Sequence, residues 1–440
     1  MFLTRLSVPL AFILASLCFG CKKDVPSAIT ASSLSGVKFY GDHFGETLRS
    51  FEGTSDGGYM FGGNAITSGS GTQNCFIQKC DKNGNVQWYN TYGIANEQYA
   101  FNIVHQTFDG GYIGAGAIWG NDSINGFDSI QWNADLIKTD ANGTKLWQKN
   151  FAAQHGDFFY DFKETPDHGL VAVGFISAYN EDPIHVVKTD KNGDSLWTKQ
   201  VILKNHNSLG ASLAFGPDGS IGIAGYSESI YPDTVSIYYP TFTYLSSSGD
   251  LIIPEKTYYQ FGSLPWTLNG NTWGFYYGPT ANFEKIIARP DGFILLLATD
   301  PQPLSYNPYC STCGSCLSMT VFKVNFTGNV LWNHIFTAFG KGVVFNDAID
   351  NASGGLLISG GAVDSSGVNY CWLLNTDADG NKTGEIYIPV KGYSAWASGV
   401  INNGKILAIG VTLLPLLTNH AGYFGFLATD LNGKIIDETK

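Results

Sequence analysis

The sequence predicts an all-β fold, a seven-bladed β-propeller of four-stranded blades that spans residues 36–440. Three observations support this prediction. A turn motif followed by an apolar strand recurs seven times, a second turn motif follows each copy, and the two ends of the chain carry complementary parts of one strand.

The first motif is an Asp-Gly turn that stands before a short apolar strand. Its copies begin at Asp56, Asp109, Asp167, Asp218, Asp291, Ser353 and Asn403. The turn glycine supplies the positive φ that tight hairpins need. Because short β-branched and aromatic runs lie between such turns, the pattern predicts hairpins and excludes α/β units.

The second motif reads Asp-x-Asn-Gly-x-x-x-Trp at residues 81–88, 140–147 and 190–197. Weaker copies surround Gly249, Gly328, Gly380 and Gly433. From Gly84 onward the glycines of this motif lie 59, 50, 56, 79, 52 and 53 residues apart, the length of one four-stranded blade with its loops. A β-sandwich offers no reason for this repeated period.

One complete unit is clearest in the second copy. It contains four predicted strands, A to D in chain order, at residues 100–104, 112–117, 134–139 and 145–151. Strand A leads into the turn at Asp109, and small apolar residues in strand B suit a position between neighbouring blades. The unit therefore predicts a meander that runs from an inner to an outer strand.

The two chain ends predict how the ring closes. Residues 37–41 resemble the second half of a D strand, such as residues 89–93, whereas only residues 434–440 follow the last turn glycine. We therefore expect the N-terminal strand to complete the last blade, which removes the exposed edges of an open sheet.

Loop lengths indicate which face of the disc carries the site. The A–B and C–D turns are short, and the long insertions fall in B–C loops or D–A crossovers at residues 66–74, 118–133, 228–236, 257–281, 300–318 and 413–422. These two loop classes share one face, so this face with the channel mouth is the predicted site. The alternative is that a surface tolerates such insertions without function.

Aromatic residues fill these insertions. The predicted ligand-binding residues are Trp119, Trp132, Trp266, Trp273, Tyr276 and Tyr277. Aromatic faces bury large areas with little rotamer entropy, which suits sugar rings or peptide side chains. The alternative is that these residues pack on each other and cap the channel.

Cysteines fall into two groups. Cys310, Cys313 and Cys316 stand at a spacing that suits a metal, but they lack a nearby fourth ligand, and in an exported chain they predict a loop disulfide of undetermined pairing. Cys75, Cys80 and Cys371 fall in C strands and are expected to be buried free thiols. The sequence thus predicts no metal and no cofactor.

The N-terminus predicts export and a lipid anchor. Arg5 precedes an apolar run over residues 6–19, which is too short for a membrane span and is followed by Gly20 and Cys21. This arrangement resembles a bacterial lipobox. The resemblance implies a lipoprotein signal peptide at residues 1–20, lipidation of Cys21, and a flexible tether at residues 21–35. A plain secretory signal cut elsewhere is the alternative.

Composition and missing motifs exclude several functions. With 25 basic against 37 acidic residues and a net charge of −12, nucleic acid is a poor partner. A sialidase needs an arginine triad, but only Arg49 and Arg289 follow the signal. Quinoprotein dehydrogenases need a vicinal cysteine pair, which the chain lacks. Paired carboxylates contributed by different blades stay possible, because sequence spacing does not reveal them.

The blade sequence resembles that of repeat β-propeller lipoproteins of Bacteroidota, with Asp-Gly-Gly-Tyr at residues 109–112 followed by Asp-x-x-Lys-Thr-Asp-x-x-Gly-x-x-x-Trp at residues 135–147. This resemblance implies a cell-envelope protein anchored in the outer membrane, on its periplasmic side or at the cell surface. Since propellers host many functions, two hypotheses follow. The first is a binding protein for a glycan or another envelope protein, and the second is a polysaccharide lyase or glycoside hydrolase acting at the channel mouth.

Overall fold

The computed structural model describes residues 37–40, 46–66, 73–93, 98–122, 129–151, 156–177, 182–202, 206–230, 236–258, 282–299, 318–338, 343–351, 353–364, 366, 368–389, 393–402, 406–415 and 423–429. The predicted signal peptide and tether lie outside these residues.

Within this part of the chain the strands form seven antiparallel sheets of four strands each. We name the first six sheets blades 1 to 6 in chain order. Blade 1 contains β2 (Thr47–Gly53), β3 (Tyr59–Ile66), β4 (Gln73–Cys80) and β5 (Val86–Tyr92). Blade 2 contains β6 (Gln98–Gln106), β7 (Tyr112–Asp122), β8 (Ser129–Thr139) and β9 (Lys145–Asn150). Blade 3 contains β10 (Asp157–Glu164), β11 (Leu170–Ile176), β12 (Ile184–Thr189) and β13 (Ser195–Val201).

The remaining blades repeat this order. Blade 4 contains β14 (His206–Phe215), β15 (Ile221–Ile230), β16 (Ser236–Leu245) and β17 (Leu251–Thr257). Blade 5 contains β18 (Asn282–Arg289), β19 (Gly292–Thr299), β20 (Ser318–Val324) and β21 (Val330–Phe336). Blade 6 contains β22 (Val343–Asp350), β23 (Leu356–Val363), β24 (Asn369–Thr376) and β25 (Lys382–Pro389).

The last sheet, blade 7, combines both ends of the chain. It contains β26 (Tyr393–Asn402), β27 (Ile406–Pro415), β28 (Tyr423–Thr429) and, outermost, β1 (Val37–Tyr40). Strand β1 pairs antiparallel with β28, with Val37 opposite Leu427 and Tyr40 opposite Phe424. The N-terminal segment expected to close the ring therefore lies in this sheet.

The sheets are arranged around an axis as the blades of a β-propeller. The first strand of each sheet contacts the first strands of its two neighbours, from β2 through β6, β10, β14, β18 and β22 to β26, and β26 in turn contacts β2. The first strands therefore line the central channel, and the fourth strands lie at the rim.

The hydrophobic core is divided into layers between adjacent blades. Between blades 2 and 3, for example, Ala115 and Leu136 pack with Phe159 and Phe162, and all four are buried. Similar mixed clusters join blade 7 to blade 1 through Phe426 and blade 5 to blade 6 through Trp372. Because each sheet buries both faces, blade-to-blade contacts provide most of the apolar burial that stabilises the fold.

A lysine of the third strand holds the A–B turn in blades 1, 2 and 3, and it is buried in blades 1 and 2. In blade 2, Lys138 Nζ donates to Asp109 Oδ1 (2.9 Å), Thr107 Oγ1 (3.0 Å) and the Thr139 carbonyl oxygen (2.9 Å). Lys79 with Asp56 and Lys188 with Asp167 repeat the ion pair. The lysine of the blade sequence thus fixes the turn of its own blade.

The Asp-x-Asn-Gly-x-x-x-Trp motif joins one blade to the next. A Cβ atom added to Gly143 of blade 2 would lie 2.7 Å from Trp88 Cζ3 of blade 1, and Tyr92 Oη donates to the Gly143 carbonyl oxygen at 2.8 Å. Trp147 covers Gly193 in the same way. The tryptophan of one copy therefore packs on the glycine of the next copy.

The structure corrects the predicted lengths of several loops. Residues 118–133 were expected to be a loop, but β7 and β8 stay paired as far as Asp122 and Ser129. In blade 4 the pairing continues to Ile230 and Ser236. Alternating β-branched and aromatic residues in these insertions favour strand pairing, so the insertions lengthen hairpins instead of forming irregular loops.

Candidate ligand-binding site at the central channel

A ring of bulged residues marks the channel wall. In blades 1 to 6 the pairing of the first two strands skips one residue of the inner strand, and the skipped residues are Arg49, Asn102, Tyr160, Ala211, Glu284 and Asn346. We call these six residues the channel ring. A bulge leaves its extra residue unpaired and redirects its side chain, so the inner edge of each blade carries one such residue.

Three members of the channel ring interact across the axis. Arg49 of blade 1 and Glu284 of blade 5 both act electrostatically on the phenol of Tyr160 in blade 3. Since these blades are not neighbours, the interactions cross the channel. The Arg49 and Glu284 side chains are exposed and Tyr160 is half-buried, so the three polar groups line a water-accessible opening.

The protein around this opening shifts the titration of all three groups. Loss of hydration raises the pKa of Glu284 to about 7 and raises the pKa of Tyr160 as well, an effect that Arg49 partly offsets for the phenol. The same loss of hydration lowers the pKa of Arg49. Channel water therefore hydrates these groups less well than bulk water does.

An aromatic strip leads from the rim of the B–C hairpin of blade 2 to the channel ring. Ring centroids are 5.4 Å apart for Trp119 and Trp132, 5.5 Å for Trp132 and Phe158, and 5.4 Å for Phe158 and Phe175. Tyr160 ends the strip, 6.5 Å from Phe158 and 6.1 Å from Phe175. We call these five residues the aromatic strip.

Sheet register explains why the aromatic strip is continuous. Trp119 lies opposite Trp132 in the extended β7–β8 hairpin, and Phe158 lies opposite Phe175 in blade 3. Cross-strand pairs of this kind bring aromatic rings into contact. Phe175 is buried, whereas Trp119, Trp132, Phe158 and Tyr160 keep partly exposed faces.

A charged belt follows the channel ring toward the A–B turns. It consists of Glu52, His105, Asp161, Lys163, Lys285 and Asp347. Its pairs are His105 Nδ1 with Glu52 Oε2 at 2.8 Å, Lys163 Nζ with Asp161 Oδ1 at 3.3 Å, and Lys285 Nζ with Asp347 Oδ1 at 2.8 Å. Cations and anions of the charged belt thus pair with each other.

The charged belt is also anchored to the backbone. Asp161 Oδ2 accepts hydrogen bonds from Ser212 Oγ (2.8 Å) and the Leu213 amide (2.9 Å) of blade 4. Although burial opposes ionisation, Lys163 and His105 hold the pKa of Asp161 well below its usual range. Asp161 therefore stays charged and joins the inner strands of blades 3 and 4.

The described part of the chain contains buried thiols and no cluster of potential metal ligands. No group of three His, Cys, Asp or Glu side chains there is placed to hold a metal ion. Cys75, Cys80 and Cys371 are buried free thiols as predicted, and burial raises the pKa of each. Among the same residues, no helix has the length and apolarity that a membrane span needs.

Of the residues predicted from sequence to bind a ligand, the structure brings Trp119 and Trp132 together in the aromatic strip. The others lie outside the described residues, namely Trp266, Trp273, Tyr276 and Tyr277, as do the lipidation residue Cys21 and the predicted disulfide loop with Cys310, Cys313 and Cys316. Their proposed roles stay predictions.

Sequence reasoning missed Phe158 and the channel ring. A signal was available, because Arg49, Tyr160 and Glu284 each stand seven residues before the first residue of an A–B turn motif, at Asp56, Asp167 and Asp291. Aligning the repeats on that turn would have placed the three residues at one structural position.

Comparison with known proteins supports the fold. No family model and no curated protein matches the chain. A solved ulvan lyase, bound to a saccharide of glucuronic acid and 3-sulfated rhamnose, is 7% identical with a TM-score of 0.55, covering 90% of this chain and 97% of that chain. Another polysaccharide lyase is 11% identical with a TM-score of 0.51, covering 92% and 94%.

A protein of unknown function from Dyadobacter fermentans is 10% identical with a TM-score of 0.48, covering 89% of this chain and 97% of that chain. At such identities the likeness to the two lyases shows a shared β-propeller fold and nothing about activity.

Proposed function

We propose that this protein binds a glycan along the aromatic strip, with the end of the glycan at the channel ring. The observation that carries the proposal is the partly exposed row of rings that runs from Trp119 through Trp132 and Phe158 to Tyr160. Aromatic faces bury the apolar faces of sugar rings and hold them with little loss of rotamer entropy.

Polar groups at the inner end of the strip complete the site. Arg49 and Glu284 stand, like Tyr160 itself, at bulges of the inner strands, so polar residues line the channel wall at which the strip ends. Ligand sites in proteins typically combine apolar walls with a few such convergent polar groups. A role in packing alone explains buried Phe175, but it does not explain why four of the five rings stay partly exposed.

Binding to immobilised glycans tests the proposal. The purified full chain is screened on a glycan array, and the affinity for any hit is measured by calorimetry. We expect Trp119→Ala and Trp132→Ala each to weaken binding by about 1–3 kcal/mol, a scale borrowed from nucleobases that stack on aromatic side chains. Melting temperatures should change far less than affinity.

Phe108→Ala is the matched control. Phe108 is 70% exposed, but it lies in the A–B turn of blade 2, on the face opposite the extended B–C hairpin. Its substitution should leave glycan affinity unchanged. Equal affinities for the wild-type chain and both tryptophan variants would contradict the proposed site.

One observation favours a second candidate, a polysaccharide lyase or glycoside hydrolase. Tyr160 interacts with both the Arg49 guanidinium and the Glu284 carboxyl, and Glu284 has the pKa of about 7 that suits proton transfer at neutral pH. The two lyases of the same fold make polysaccharides the first substrates to test. Shortened products that disappear in Tyr160→Phe would favour this candidate, whereas a bound glycan that stays intact would favour binding alone.

We also propose that the chain is a lipoprotein of the cell envelope, of the type found in Bacteroidota, with Cys21 as the lipidated residue. The support is the apolar run that ends in Gly20 and Cys21. A Cys21→Ala chain should lose its membrane association after export, as measured by cell fractionation. A Cys18→Ala chain, the control, should stay bound to the membrane.

A further inference from the structure

Strand β21 is an exposed edge at the rim of the disc. It is the outermost strand of blade 5, and among the described strands it pairs only with β20. Three of its apolar residues are exposed to water, namely Val330 (44%), Leu331 (51%) and Ile335 (55%). An unpaired strand edge with apolar side chains is a template for pairing with another strand. Strand β21 is therefore a candidate interaction surface, separate from the aromatic strip and the channel ring.

The corresponding strands of the other blades are protected against such pairing. We call the fourth strands of blades 1 to 6, which are β5, β9, β13, β17, β21 and β25, the rim strands. Four of them contain charged residues or proline, for example Lys149, Lys199, Pro254 and Lys382. Strand β5 has neither, but its second and sixth residues are polar Gln87 and Thr91. In β21 the same two positions are Leu331 and Ile335, so β21 alone among the rim strands combines an uncharged edge with an apolar outer face.

The sequence of β21 is suited to pairing with a second copy of itself. Leu331, Asn333 and Ile335 share one face of the strand, because side chains alternate between the two faces. In an antiparallel pair centred on Asn333, Leu331 of each copy lies opposite Ile335 of the other. Two apolar cross-strand pairs then flank Asn333, which lies opposite its own copy and can both donate and accept through its amide.

The other face of β21 is fixed against blade 6. A Cβ atom added to Gly380 would lie 2.5 Å from Trp332 Cη2, and His334 Nε2 donates to the Asp379 carbonyl oxygen at 3.0 Å. These contacts hold the strand in place while Leu331 and Ile335 stay exposed. The edge is therefore available to a partner without rearrangement of the blade.

We propose that two copies of this chain associate through β21, which pairs antiparallel with its own copy around Asn333 and joins the two blades 5 into one continuous sheet. A single strand edge buries less than about 1,200 Å², the size of weak and transient interfaces. The chain should therefore be monomeric in dilute solution and dimeric at high concentration. This inference does not depend on the proposed glycan binding.

Sedimentation velocity of the full chain at increasing concentration tests the association. We expect Leu331→Lys to raise the dissociation constant of the dimer about tenfold or more, because a charge then lies opposite Ile335 of the other copy. Leu196→Lys is the matched control. Leu196 also precedes the tryptophan of its rim strand and is 58% exposed, but its strand contains Lys199. This control should leave the dissociation constant unchanged.

A charge pair tests the register. Leu331→Lys combined with Ile335→Glu should restore the association that Leu331→Lys alone loses, because the new lysine of each copy then lies opposite the new glutamate of the other. The restored association should weaken as salt concentration rises.

Disulfide cross-linking tests the register a second time. Asn333→Cys should form a covalent dimer under mild oxidation, because residue 333 lies opposite itself at a distance that a disulfide can span. Leu331→Cys should cross-link far less, since its opposite residue is Ile335. The wild-type chain, which has eight cysteines of its own, gives the background on a non-reducing gel.

Each result either supports or contradicts the inference. A wild-type chain that stays monomeric at the highest concentration reached would overturn it. So would a dimer that persists in Leu331→Lys, because the interface would then lie elsewhere. Equal cross-linking of Asn333→Cys and Leu331→Cys would contradict the register around Asn333. Melting temperatures, measured first, show that every variant is folded.

Discussion

Glu284 illustrates at the residue scale how the channel alters a side chain that water still reaches. Its folded-state pKa of about 7 exceeds the ordinary value of 4.5 because the surrounding protein removes hydration. Between these two pH values the folded state binds more protons than the unfolded state, so stability falls as pH rises from about 4.5 to 7.

We therefore expect Glu284→Gln to stabilise the protein at pH 8 and to have little effect at pH 4. The gain should be about 1 kcal/mol, well below what the full shift implies, because channel water screens the exposed carboxylate. Melting temperatures at the two pH values measure it.

Glu385→Gln provides a control of opposite sign. Burial alone would raise the pKa of Glu385, but hydrogen bonds from Lys382 and Trp372 lower it. This substitution should therefore destabilise the protein more at pH 8 than at pH 4. A Glu284→Gln chain that melts below the wild type at pH 8 would contradict the account of Glu284.

At the scale of single elements, the glycine of the C–D turn serves both the turn conformation and the packing between blades. Gly143 has φ of +77°, a conformation that glycine adopts without strain, and it also leaves room for Trp88 of the preceding blade. Gly110, in the A–B turn of the same blade, has nearly the same φ of +80°, but nothing lies within 4 Å of an added Cβ.

Replacing each of these two glycines by alanine distinguishes the cost of backbone strain from the cost of disturbed packing between blades. Gly110→Ala should cost about 1–2 kcal/mol, the strain of a left-handed alanine. Gly143→Ala should cost about 1–3 kcal/mol more, because the new methyl group overpacks the contacts with Asn90 and Trp88 of blade 1. Thermal and denaturant unfolding measure both variants. Equal losses would mean that the Trp88 contact does not limit the turn.

The sequence predicted hairpins well because their signals are local. Turn residues such as Asp109 and Gly110 adopt the expected hydrogen-bonded turn, and the Gly110 amide donates to the Thr107 carbonyl at 2.9 Å. The insertion around Trp119 was predicted as a loop because it lies beyond the strands of the repeat, and its spacing does not show that Trp119 pairs with Trp132 across the hairpin.

The channel was least predictable because it exists only at the scale of the whole molecule. Arg49, Tyr160 and Glu284 belong to blades 1, 3 and 5, far apart in sequence, and they face one channel because the first strands close around one axis. Each of the three residues stands seven residues before an A–B turn motif, so the sequence could assign them the same position in the blade. Only the closed ring places the three blades around one channel.

Ring closure itself depends on a short strand from the other end of the chain. Strand β1 completes the last sheet beside β28, and the Tyr40 hydroxyl donates to the Gly84 carbonyl oxygen of blade 1. The Tyr40 ring lies 5.3 Å from Phe61, and Lys38 Nζ donates to Asn85 Oδ1 at 3.0 Å. The strand therefore joins blade 7 to blade 1, because its side chains reach both the C–D turn and the core of blade 1.

Deleting residues 37–41 should expose the edge of β28 and remove these contacts. We expect a lower melting temperature and concentration-dependent association, since unpaired strand edges pair with other chains. Because the channel ring depends on closure, binding along the aromatic strip should weaken as well, although the deletion touches none of its residues. Differential scanning fluorimetry and light scattering provide the measurements.

Tyr40→Phe tests the contribution of one hydrogen bond while strand β1 still closes the ring. This variant keeps the strand and the ring packing against Phe61 but loses the hydrogen bond to Gly84, so it should cost only about 0.5–1.5 kcal/mol and stay monomeric. A deletion chain that melts with the wild type and stays monomeric would mean that blade 7 is stable with three strands. Closure by β1 would then contribute nothing to the stability of the ring.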